Sequence, residues 1–162
     1  MDIEGKVGVI TGAASGIGRA AAIELQKQKI KVLALVDLSD AVLELAYEIN
    51  KLRGKTVAIG FQGDTTDPEF RKRVFETMRT QHGPVNICVP AAGITRDALA
   101  VRLNKEKGTA NIYPIENFRQ VVEVNLIAPT YWAMEMVAQL AESRFSKGLK
   151  KWDPMEGTQG VV

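Results

Sequence analysis

The sequence predicts an α/β fold built on a doubly wound parallel sheet. Short runs rich in Val, Ile and Leu alternate with helical patterns from one end of the chain to the other. The runs are nearly continuous in apolar residues, the mark of strands covered on both faces. A glycine-rich turn joins the first run to the first helical pattern. Strand–helix alternation of this kind implies parallel strands joined by right-handed crossovers.

Each element has its own signal. Strands are expected at 6–11 (KVGVIT), 31–36 (KVLALV), 56–61 (TVAIGF) and 85–89 (VNICV). A fifth begins at Gly160 (GVV), so the sheet is expected to be truncated after the start of that strand. In the first helix Ile17, Ala21 and Leu25 share a face. In the second the shared face holds Val42, Leu45, Ala46, Ile49 and Leu52. In the third it holds Phe70, Val74 and Met78. Asp67 followed by Pro68 reads as an N-cap with proline at the first helical position. Gly83-Pro84 stops that helix, with His82 in its last turn. A fourth helix is expected from about 115 to 143. The polar segments 104–112 and 147–159 read as surface loops.

The 162 residues suffice for one domain, which at this size buries roughly 70% of its unfolded surface. We expect one domain over 1–162. A net charge of +2 is too small to suggest a nucleic-acid or membrane surface. The basic patch KGLKK (147–151) reads as a solvated loop. The one cysteine, Cys88, excludes a disulfide framework or a cysteine-rich metal site within one chain, and no metal is expected. It reads as a buried free thiol. The start, MDIEGK, lacks the basic and apolar regions of a signal peptide. No apolar stretch approaches a membrane span. A cytoplasmic location is the expectation.

The turn after the first strand carries the chemistry. Gly12, Gly16 and Gly18 stand where the strand hands over to the helix. Gly12 permits the tight turn, Gly16 lets a phosphate approach the backbone, and Gly18 lets the helix pack close to the sheet. Free N–H groups and the positive end of the helix then face a pyrophosphate, with Ser15 adding a hydroxyl. The second strand ends at Asp37, near the spacing of about 20 residues expected for a ribose-binding acid. A carboxylate there accepts from the ribose hydroxyls and repels a 2′-phosphate. No Arg or Lys lies in the loop before Gly18, and Leu38 follows Asp37. NAD is therefore expected over NADP.

These residues resemble the short-chain dehydrogenase/reductase family, a group of Rossmann-fold enzymes, from residue 5 onward. Thr11-Gly12-Ala13-Ala14-Ser15-Gly16-Ile17-Gly18 matches the family's TGxxxGxG. Asp64-Thr65 follows the third strand, where the family places an acid against adenine; a capping turn before the third helix is the plain alternative. Pro90-Ala91-Ala92-Gly93 stands at the family's NNAG, with both asparagines absent. Ala91, Ala92 and Gly93 are still expected to offer backbone contacts to the cofactor. Asn125, in EVNLIAP, matches the family's catalytic asparagine. Phe118, Val121 and Val122 share its helical face, so its amide is expected to be buried and bonded.

The resemblance also implies a serine after the fifth strand and a Tyr-x-x-x-Lys on the next helix. Tyr47, Tyr113 and Tyr131 all precede that place. The chain is thus expected to be the N-terminal portion of a single-domain enzyme, inactive alone for want of its proton donor. The implied reaction is hydride transfer between NAD(H) and a small-molecule carbonyl or secondary alcohol. Gly93-Ile94-Thr95-Arg96-Asp97-Ala98-Leu99 is similar to the 3-oxoacyl-(acyl carrier protein) reductase group, implying a 3-oxoacyl or 3-hydroxyacyl thioester. An NAD-linked hydroxysteroid dehydrogenase is the close alternative. From other classes come a non-catalytic NAD-binding or sensing protein and a Rossmann-like methyltransferase. The glycine spacing opposes the last. Arg96 and Arg102 are expected to be solvated. A homodimer or homotetramer through the apolar stretch 126–140 is also implied.

Overall fold

The computed structural model describes residues 2–149 and 159–162. Four parallel strands form the sheet: β1 (Val7–Thr11), β2 (Val32–Asp37), β3 (Ala58–Gln62) and β4 (Ile87–Pro90). Their spatial order is β3-β2-β1-β4. The expected fifth strand is present as a single parallel bridge, Ile87 to Val161. It is held by Val161 N–H donating to Asn86 O (2.8 Å) and Cys88 N–H donating to Val161 O (2.9 Å).

Side chains alternate across a strand, so one run of apolar residues feeds two cores. In β2, Val32, Ala34 and Val36 face α3 (Pro68–His82) and α5 (Ala128–Ser146). Leu33 and Leu35 face the opposite way, toward α1 (Gly16–Lys27) and α2 (Ala41–Arg53). The doubly wound expectation holds. Asp67 caps α3 as expected, its carboxylate accepting from Glu69 N–H at 2.9 Å with Pro68 in the first turn.

Several expectations need correction. The buried face of α1 is Gly18, Ala22 and Gln26, while Ile17 is 80% exposed. In α2 the buried face ends at Ile49, and Leu52 is exposed. Most important, the segment 104–112 is not a loop. Strands β5 (Val101–Asn104) and β6 (Thr109–Ile112) pair antiparallel, Val101 opposite Ile112 and Leu103 opposite Ala110. The tip turns through Gly108 at φ 64°. The expected loop 147–159 and the KGLKK patch lie largely outside the described residues.

The expected single fourth helix is two helices with a wider turn between them. α4 (Ile115–Val122) passes into a π-helical turn, Glu123–Ile127, and then into α5. Pro129 gives the reason. It has no N–H, and in a regular α-helix its ring would clash with the carbonyl four residues back, that of Asn125. Widening the turn relieves the clash and places the wider turn on Asn125, consistent with the tendency of π-bulges to sit at functional sites.

Cys88 is a buried free thiol, and burial pushes it up to about 12. A thiolate is the reactive form, so the folded chain is expected to resist thiol reagents at neutral pH. Labelling with a maleimide should proceed only after denaturant is added; rapid labelling of the native protein would contradict the burial.

Candidate functional site

A cleft of about 600 Å³ opens at the C-terminal ends of the strands. This is the side of an open α/β sheet where ligands bind, at the point where strand order reverses. Here the reversal falls between β1 and β4. Eleven of the twelve residues expected to hold a cofactor line the cleft: Gly12, Ser15, Gly16, Ile17, Asp37, Leu38, Asp64, Thr65, Ala91, Ala92 and Gly93.

The twelfth, Gly18, works from behind. A Cβ there would stand 2.2 Å from Gly12 O, so glycine is what lets α1 sit against the β1 turn. Gly12 is itself in the left-handed region, φ 66°, and a Cβ on it would meet the Ala91–Ala92 backbone at 2.7–2.8 Å. The two loops are locked together by Ala91 N–H donating to Thr11 O (3.2 Å) and Ala92 N–H donating to Thr11 Oγ1 (3.2 Å). Small residues at 91 and 92 satisfy this docking without the family's asparagines.

The donors fit an anion. The first N–H groups of a helix have no intrahelical acceptor, and Ser15 makes no side-chain cap to α1. Gly16 has φ 51° and nothing within 4 Å of where a Cβ would lie, so the backbone is bare on the cleft it lines. These are the features a diphosphate requires.

Asp37 reaches the cleft from the end of β2. One carboxylate oxygen accepts from Ala14 N–H (2.9 Å) and the other from Ser39 N–H (3.0 Å). The acid thus ties the glycine loop to its strand. A carboxylate has about four lone-pair sites, so capacity remains for a pair of hydroxyls. Leu38 is 70% exposed at the same lip.

Asp64 stands at the cleft and also makes the turn that is its plain alternative. It lines the cleft, and it holds a turn by accepting from Thr66 N–H (2.9 Å) and Thr66 Oγ1–H (2.8 Å). Thr65 is buried, its carbonyl accepting from Trp132 Nε1–H at 2.9 Å. That bond anchors this wall to α5.

Asn125 is placed differently from expectation. It is exposed, because the face it shares with Phe118 and Val121 is uncovered by the described residues. Its amide nonetheless makes a pair of bonds to one residue, Ile94. Nδ2 donates to Ile94 O, and Ile94 N–H donates to Oδ1, both at 2.8 Å. It lines a second cavity of about 320 Å³ rather than the main cleft. Ile94 and Arg96 face both spaces.

Sequence patterns missed Gly63, Ile94, Arg96, Gln120 and Val124 as cleft residues. Gln120 of α4 and Val124 of the wider turn after it stand four apart, a spacing legible in the sequence. Gly63 precedes Asp64 and is confined by Phe70, whose ring would lie 2.6 Å from a Cβ. One Tyr-x-x-x-Lys spacing does occur, Tyr47 to Lys51, but it lies on α2 and lines neither cavity. Tyr47 is 67% exposed.

Comparison with known proteins adds sequence and fold likeness. The profile of the short chain dehydrogenase family matches residues 6–148. The 3-oxoacyl-[acyl-carrier-protein] reductase FabG of Thermotoga maritima is 38% identical over 127 residues, 75% of this chain and 50% of the relative. FabG of Escherichia coli is 32% identical over 126 residues, 78% of this chain and 46% of the relative. The chain spans about half the length of these curated relatives. A short-chain type dehydrogenase/reductase from Mycobacterium marinum shares the fold, with a TM-score of 0.69 at 24% identity over 88% of this chain and 53% of that one. Among the described residues no helix is long and apolar enough to cross a membrane.

Proposed function

Because this chain belongs to the short chain dehydrogenase family, we infer that it is the cofactor-binding portion of an oxidoreductase that uses NAD(H). The observation that carries this is Asp37. It lines the same cleft as the uncapped start of α1, at the tip of the neighbouring strand. One end offers N–H groups to a diphosphate, and the other offers a carboxylate to an unphosphorylated ribose. Asp64 and Thr65 extend that end toward the base, and the exposed Ile17 and Leu38 give the base apolar surface.

The bound dinucleotide supplies a hydride donor or acceptor for a carbonyl or secondary alcohol. The chain's own residues bind it, orient it across the strand ends, and use Asn125 to hold the loop that follows β4. A 3-oxoacyl or 3-hydroxyacyl thioester is the substrate class we favour, on the likeness to the two reductases. A homodimer or homotetramer through α5 belongs to the same proposal. Tyr131, Met134 and Val137 of that helix stand exposed, while Trp132 and Met136 are taken up in the core.

Titration of the chain with NADH and NADPH, followed by nucleotide fluorescence, tests the assignment. NADH should bind at least ten-fold more tightly. Asp37→Ser should erase most of that preference, since a shared like charge no longer repels the 2′-phosphate; a ten-fold change corresponds to about 1.4 kcal/mol. Equal affinity for the two nucleotides in the unaltered chain would refute NAD selectivity, and no binding of either would refute the site.

A further inference from the structure

The cavity of about 320 Å³ beside Asn125 shares only Ile94 and Arg96 with the dinucleotide cleft. Its walls come from three places. Ile94 and Ala100 belong to the chain after β4, Phe118 and Val121 to α4, and Tyr113 to the end of the β5–β6 ribbon. The surface is mostly hydrocarbon, and Phe118 is 57% exposed along it. The one amide, Asn125, retains a spare N–H and a spare lone pair after its two bonds to Ile94.

Position along the sheet gives the cavity its meaning. The cleft runs across the strand ends in the order β3, β2, β1, β4. Asp64 and Asp37 lie at the β3–β2 end, where the assignment above puts the adenosine. Ile94 follows β4 at the other end, where the nicotinamide must then lie. The cavity adjoins the cleft at that end, with Ile94 and Arg96 facing both.

Tyr113 is the braced part of the wall. Its N–H donates to Ala100 O at 2.9 Å, and its hydroxyl donates to Arg96 O. These bonds join the two roots of the ribbon and fix the ring at the edge of the cavity. The ring itself lines none of the dinucleotide cleft.

We propose that this cavity receives the apolar arm of the carbonyl or alcohol substrate and that Tyr113 sets the length of arm it takes. The proposal rests on the dinucleotide assignment above. Hydrocarbon moved from water into such a space strengthens binding about four-fold per methylene until the space is full.

The test uses the chain saturated with NADH and a series of straight-chain methyl ketones from 2-butanone to 2-nonanone. Dissociation constants are read by ligand-observed NMR. Affinity should climb about four-fold per methylene and then level off. Tyr113→Ala should move the plateau outward to longer ketones, and Tyr113→Phe, which keeps the ring, should leave it in place. Val121→Phe fills the opposite wall and should pull the plateau inward. NADH affinity, measured in parallel, should be unchanged in all three variants. A flat series, or a plateau that none of these variants moves while NADH still binds, overturns the proposal and leaves the cofactor assignment standing. Failure of the unaltered chain to bind NADH overturns both.

Discussion

Trp132→Ala is expected to lower the stability of the fold by about 3–5 kcal/mol, the range for a large aromatic removed from a packed core. Trp132 is wholly buried on α5. Its ring meets Phe75 at 5.6 Å and Phe70 edge-on at 6.5 Å, joining α5 to α3. Its Nε1–H is also the partner of the buried Thr65 carbonyl. Removing it leaves that carbonyl unpaired, which accounts for about 1–3 kcal/mol of the loss. Against a total stability of about 5–15 kcal/mol, the variant is near the edge of folding. Urea unfolding measures the change. Trp132→Phe separates the terms, because it keeps most of the ring packing and loses only the bond. A loss under 1 kcal/mol for the alanine variant would mean that α5 does not dock on α3 as described. Thr65 walls the cleft, so weaker NADH binding should accompany the stability loss.

Gly18→Ala is expected to have the second large effect, by a different route. Its Cβ would fall 2.2 Å from Gly12 O and 2.7 Å from Gly12 C, both backbone atoms. No side-chain rotation relieves such a contact, so α1 must move off the turn. Overpacking of this kind typically costs about 1–3 kcal/mol. The helix start carries the anion donors, so dinucleotide affinity should drop with stability. Gly16→Ala is the contrast. Its Cβ meets nothing within 4 Å, so only the left-handed backbone is penalised, by about 1–2 kcal/mol. That methyl would stand on the face left for a phosphate, so binding should be lost out of proportion to stability. Thermal melts and NADH titrations of both variants check the pair. Equal ratios of binding loss to stability loss would refute the division of labour between the two glycines.

The strands and the crossovers were legible because buried parallel strands write themselves as apolar runs, and Asp67-Pro68 because capping is local chemistry. The residues that shape the cleft were legible for the same reason: Gly12, Gly16 and Asp37 line it and Gly18 supports it from behind, all set by a turn and a strand end. The misreadings have physical causes too. Periodicity places Ile17 on the buried face of α1 because it looks for large apolar residues. The true face begins at a glycine, buried because nothing larger fits, and Ile17 lines the cleft. The β5–β6 ribbon carries a period of two, Val101, Leu103, Ala110 and Ile112 on one face with Arg102, Asn104, Thr109 and Asn111 on the other. Its Lys-Glu-Lys-Gly tip obscured that alternation. Asn125 was expected to be buried because its helix face is apolar. Periodicity shows that a face is apolar but cannot show what covers it, and the π turn forced by Pro129 shifts the phase besides.

Ile94 belongs to two rooms, and Asn125 bonds both its N–H and its carbonyl. An occupant of either room presses on the same residue. Thermodynamics then imposes a symmetry: whatever factor a nucleotide applies to the affinity of a guest next door, the guest returns to the nucleotide. The two spaces are thereby linked through one residue, with no moving lid between them.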